Sequence, residues 1–170
     1  MTSKKITRLL IIFSIIVINI GCDQVTKSIV RKEVVPYSTI HMLSNHLTLT
    51  KVENAGAFLS AGDHLSGQLR FIILTLLPVI AMIAGIIYIF TKQNLHLITT
   101  MGICFVIGGG IGNIFDRIIY GSVTDFLHIS VAGMQTGIFN MADVSIMTGA
   151  ALIFLSSLLK SNKSSTIKAA

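Results

Sequence analysis

The chemistry available to this chain rests on few charged groups. Its carboxylates are Asp23, Glu33, Glu53, Asp63, Asp116, Asp125 and Asp143. Four of them, Asp23, Asp116, Asp125 and Asp143, fall at or near the ends of apolar stretches. A charged side chain beside a membrane-length apolar segment is costly to bury, so a functional role is its default reading. Asp125 stands in SVTDFLHI and Asp143 in FNMADVS, on either side of one short connection. If the flanking segments form a helical hairpin, the two carboxylates reach the same depth. Two carboxylates at short range do not both ionise easily, and the pair can share one proton. Such a pair can activate water as a base and protonate a leaving amine as an acid. The same aspartates would also serve as helix caps, and their spacing alone leaves both readings open.

A second group lies in GGGIGNIFDR, Gly108–Arg117. No strand precedes it and Asn113 stands where a third glycine would be needed, which argues against a dinucleotide site. Gly108 and Gly112 form a small-xxx-small face for close helix packing. Asn113, Asp116 and Arg117 share one helical face at i, i+3 and i+4. Asp116 either neutralises Arg117 or leaves it free, with Asn113, to bind substrate carbonyls or a phosphate. Asn54 and Asn140 add amide donors. His41, His46, His64, His96 and His128 show no metal-ligand spacing, and neither HExxH nor Gly-x-Ser-x-Gly occurs. The expectation is no metal and no cofactor. Cys22 and Cys104 both sit in apolar stretches and read as small buried hydrophobes.

The elements that must position these groups are membrane spans. Of 170 residues 52% are hydrophobic, 12% are charged, and the mean hydropathy is +0.81. Soluble domains carry about 25% charged residues. Four stretches, about 9–30, 71–90, 97–119 and 138–159, approach the roughly 20 residues that cross a bilayer as a helix. Pro78 predicts a local break in the second. The fold class is an α-helical integral membrane protein, a single domain over 1–170 with four transmembrane helices and a small β-containing extracytoplasmic subdomain. The β element is His46–Val52, HLTLTKV, which alternates apolar and polar residues and needs a partner strand. Residues 161–170 read as a polar, disordered tail.

Four spans place both termini on one side. Lys4, Lys5, Arg8, Lys92, Lys160, Lys163 and Lys168 crowd the tails and the short 91–96 loop, which favours the cytoplasm for them. The remaining six basic residues spread over the opposite half and its two long connections. The net charge of +6 is not arranged as a nucleic-acid face: no basic block is interleaved with aromatics, and there is no Trp. The first span ends in Gly21-Cys22, as at a lipid-modified cysteine, but Asn19 stands where an apolar residue would be wanted. Asp23 and Lys27 continue one helical face past the cysteine. The reading is an uncleaved first span.

In sum the motifs DQVTK (Asp23–Lys27), NAGAF (Asn54–Phe58), GGGIGNIFDR, VTDF (Val123–Phe126) and FNMAD (Phe139–Asp143) resemble those of the lipoprotein signal peptidases, signal peptidase II, in that family's order. The resemblance implies a membrane aspartic endopeptidase that cuts diacylglyceryl-modified prolipoproteins just before the lipidated cysteine. It implies Asp125 and Asp143 as the catalytic pair. It implies Asn54, Gly56, Asn113, Arg117 and Asn140 at the substrate, with Asp23 and Lys27 in a binding or supporting role. It implies a monomer in the bacterial inner membrane, among membrane lipids, with its site towards the extracytoplasmic face. Phe58 and Leu59 depart from the family's usual loop, and Gly110 replaces a common alanine. The rival reading from the residues is a small transporter or proton-conducting protein, which would place polar residues deep in several spans. The second span offers almost none.

Overall fold

The computed structural model describes residues 3–56, 66–92 and 94–168. Four of its helices are long and apolar enough to cross a bilayer: Lys5–Glu33, Gly67–Thr91, Leu97–Tyr120 and Met141–Leu159. Their outward side chains are large and apolar, among them Leu10, Phe13, Ile80, Ile87, Ile118 and Phe154, each more than half exposed. Apolar surface on that scale is stable only against lipid.

The first helix, α1, runs Ser3–Glu33 and overshoots the expected 9–30 at both ends. The second span is α2 (Gly67–Phe71), a π-helical turn (Ile72–Leu76) and α3 (Leu77–Thr91) in sequence. The break expected at Pro78 is therefore the π turn just before it. Proline cannot donate to the carbonyl four residues back and its ring crowds that carbonyl, and widening the preceding turn relieves both. α4 spans Leu97–Tyr120, and Gly121 ends it in the left-handed conformation at φ 76°. α5 spans Met141–Lys168. It starts later than expected because Phe139 pairs with Leu127 in a β-bridge. Its helical span is drawn through Lys168.

α4 is the central helix, and its glycines make that possible. A Cβ on Gly108 would fall 2.7 Å from Asn19 Cβ of α1, and one on Gly102 would fall 2.8 Å from the Gly149 carbonyl of α5. The small-residue face expected at Gly108 and Gly112 is thus half of a two-sided packing surface. Ile12, Ile89, Cys104 and Ile107 form the core between α1, α3 and α4. Cys22, expected buried, is exposed on α1, while Cys104 is buried as expected.

Outside the spans a four-stranded antiparallel sheet has the order β1-β2-β3-β4: β1 Ile40–Met42, β2 Leu47–Asn54, β3 Val123–Val131 and β4 Met134–Gln135. The expected strand is β2, extended to Asn54. Its main partner, β3, replaces the expected helical hairpin around Asp125. A second core of Val30, Val34 and Phe126, with Leu49, Leu127 and Met141 against it, seats the sheet on the ends of α1 and α5.

Candidate active site

β3 leaves α4 at the Gly121 cap, so Asp125 arrives beside Val52 of β2 in the ladder. Asp125 is 4% exposed. Its two oxygens accept from side-chain amides: Asn140 Nδ2 at 2.6 Å and Asn54 Nδ2 at 2.9 Å. Asn54 is held in turn by the Gly56 amide N–H, which donates to Asn54 Oδ1 at 2.9 Å. Burial is the main force on the Asp125 carboxyl, and it pushes the pKa up to about 6. The charge of Asp143 adds to that rise, while the amides of Asn54 and Asn140 oppose it.

Asp143 lies in the first turn of α5. Its backbone N–H donates to Asn140 Oδ1 at 3.0 Å, and its own Oδ2 accepts from the Asn140 N–H at 3.1 Å. This reciprocal pair is a capping box. Both readings left open by the sequence therefore apply to Asp143: it caps, and it faces the site. Its other oxygen accepts from Asn113 Nδ2 at 2.9 Å. Asn140 bridges the two carboxylates, since its amide also reaches Asp125.

Asp125, Asp143, the three asparagines and Arg117 surround one cleft with about 20 Å³ of free volume. A site needs roughly 10–15 Å³ to hold a single water. Arg117 Nη2 donates to the Gly56 carbonyl at 2.9 Å, which ties the loop after β2 to α4. The rest of that loop motif, Ala57 and Phe58, lies outside the described residues, as do Leu59, Asp63 and His64.

Asp116 does not pair with its neighbour Arg117. It faces α1, where Lys27 Nζ stands at 3.0 Å and Arg31 Nη2 at 2.8 Å. Adjacent residues on a helix point apart, so the partner comes from another helix. Asp23 and Lys27 are fully buried, 2.8 Å from each other. They lie behind the cleft rather than on its wall. Asp23 Oδ1 accepts from the Ala142 N–H at 2.9 Å and so holds the first turn of α5. Lys27 donates to Asn113 Oδ1 at 2.9 Å, which turns the Asn113 amide nitrogen towards Asp143. The sequence reading missed three contributors to this layer. Gln24 donates to Asp23 and Asp116, Arg31 donates to Thr124 Oγ1 at 2.8 Å, and Thr124 donates to Glu53 at 2.9 Å. The repeat of Asp23, Lys27 and Arg31 at four-residue intervals was the available signal.

Among the described residues no group of three His, Cys, Asp or Glu side chains could hold a metal ion. The chemistry on offer is that of two carboxylates, one with a raised pKa, around a water-sized space lined by amides.

Residues 15–159 match the family model described as signal peptidase (SPase) II. A lipoprotein signal peptidase of Clostridioides difficile is 35% identical over 88% of this chain and 96% of its own. One from Bacillus subtilis is 34% identical over 89% and 95%. Two bacterial membrane enzyme structures determined by the in meso method superpose with TM-scores of 0.77 and 0.73. The first is 27% identical and covers 92% of this chain and 90% of that one; the second is 29% identical and covers 89% and 92%.

Proposed function

The chain belongs to the signal peptidase II family, the lipoprotein signal peptidases, and we propose that it cuts by an aspartic mechanism with Asp125 and Asp143 as the working pair. It is a multi-pass bacterial membrane enzyme acting on prolipoproteins. The transporter alternative is not favoured.

One observation carries the aspartic reading: two carboxylates on separate elements meet at a water-sized cleft, held by neutral amides rather than by cations. A water between them loses a proton to the ionised carboxylate as its oxygen attacks the scissile carbonyl. The protonated carboxyl then gives its proton to the departing cysteine nitrogen as the C–N bond breaks. The raised pKa supports Asp125 as the member that starts protonated. The asparagine and Arg117 donors around the cleft are suited to hold the substrate backbone and the developing oxyanion.

The substrate is a prolipoprotein whose cysteine bears a diacylglyceryl group, cut on the amino side of that cysteine. Both tails lie in the cytoplasm, so the sheet and the cleft lie at the outer face, where the end of a signal helix meets water. The enzyme acts as a monomer among membrane lipids. A cleavage assay with lipidated prolipoprotein tests the reading. Asp125→Asn and Asp143→Asn should each abolish cutting while the protein still inserts, and near-normal cutting by either would overturn it.

A further inference from the structure

The sheet has two unlike faces. On one, Ile40, Met42, Ile129 and Val131 are apolar and 38–47% exposed. On the other, His41 of β1, Thr48 of β2 and His128 of β3 stand in register across three strands. Thr50 and Ser130 share that second face by alternation. The apolar face suits lipid. The polar face lines a groove of about 610 Å³, far larger than the cleft between the aspartates.

The groove adjoins that cleft. Ile138 lines both. Val52 lines the groove and is the ladder partner of Asp125. From Val52 back to Thr48 the strand covers about 13 Å at ~3.3 Å per residue, the length of about four extended residues. Among the described residues that line it there is no carboxylate and no lysine or arginine, only histidines, hydroxyls, an amide and two aliphatic side chains.

Resting on the proposed function, we infer that this groove receives the first few residues on the carboxyl side of the scissile bond, as an extended polar segment, with the His41–Thr48–His128 row as its floor. The signal helix is apolar and belongs among the spans. Laying it here would leave the hydroxyls and imidazoles without partners. The residues beyond the modified cysteine belong to a polypeptide that leaves the membrane. The polar face of the sheet adjoins the cleft at Ile138 and Val52 and leads outward from it. The backbone and side-chain polar groups of those residues find donors and acceptors along that floor.

Two measurements on the full-length enzyme test this. The first compares kcat/KM for a lipidated prolipoprotein with that for the same substrate truncated one residue after the cysteine. The wild type should prefer the longer substrate about tenfold, and the double variant Thr48→Val, His128→Leu should bring that ratio close to one. A ratio near one in the wild type, or an unchanged ratio in the variant, would overturn the groove assignment. The second does not depend on turnover. Asp125→Asn enzyme is mixed with uncut substrate carrying a photocrosslinker at the third residue after the cysteine. Adducts should map to β1, β2 and β3. Adducts confined to the helices or to the apolar face would give the groove to another occupant, such as a phospholipid headgroup, and would sink the proposal. Cutting by Asp125→Asn would instead count against the aspartic mechanism, so the two failures are told apart.

Discussion

Two layers of carboxylates lie side by side in this protein and are built on opposite terms. In the layer behind the cleft, Asp23 and Asp116 each touch Lys27, and Asp116 also touches Arg31. In the layer at the cleft, Asp125 and Asp143 are held by Asn54, Asn113, Asn140 and a backbone N–H. Among the described residues neither of these two makes an ion pair. A cation within 3 Å takes up a carboxylate's oxygens in a directed ion pair, which suits a brace. A neutral amide orients the oxygens and leaves protonation open. The contrast separates the four aspartates into two that hold helices together and two that the proposed function assigns to acid–base chemistry.

The largest expected effect is on the cleft. Asp143→Asn should lower kcat by about a thousandfold or more, because members of a cooperating pair act as a unit. Its folding should change little, since asparagine can still cap α5. Single-turnover cleavage with excess enzyme would read this, and a loss below tenfold would break the contrast. The next effect is on the brace. Lys27→Met strands Asp23 without a cation, and breaking a buried pair in this way costs on the order of 3–5 kcal/mol. Adding Asp23→Asn should recover part of that loss in a denaturation series, and no recovery would mean the two do not act as a pair.

The four spans, and the pairing of Asp125 with Asp143, were legible in the sequence because both rest on local signals: apolar length, and two carboxylates flanking one connection. The strand that carries Asp125 was not. Val123, Thr124, Asp125 and Phe126 are all buried, so the alternation that marks a strand is absent there. The partner of Asp116 was hidden for a different reason. Lys27 lies 89 positions away in sequence, and only the approach of α1 to the glycine face of α4 brings the two together. The late start of α5 likewise depends on Phe139 pairing with Leu127, a contact no local pattern announces.

Smaller effects sharpen the comparison. The Asp125 carboxyl is raised from 3.8 to about 6 by burial. The folded chain therefore holds this proton in a range where the unfolded chain has released it. Stability should fall as pH rises from about 4 through 6, and kcat/KM should fall as pH rises past about 6 if Asp125 is the acid. A rate that climbs through that window would assign the proton elsewhere. Gly109→Ala puts a methyl against the Ala142 carbonyl in the first turn of α5. It should cost about 1–3 kcal/mol and lower kcat by displacing Asp143, both readable from one purified variant. At the low end, Cys22 is exposed on α1. Cys22→Ser should shift stability by no more than about 0.5 kcal/mol and leave cleavage unchanged. An intact mass showing lipid on Cys22 would reopen its role.

The most direct test of the two-layer account sets Asp125→Asn beside Asp116→Asn in the same detergent, with denaturant midpoint and prolipoprotein cleavage measured on each. The account predicts that Asp125→Asn keeps the wild-type midpoint and cuts nothing, while Asp116→Asn unfolds at markedly lower denaturant and still cuts where it remains folded. A destabilised Asp125→Asn that retains cleavage, beside a stable Asp116→Asn that has lost it, would contradict the division outright.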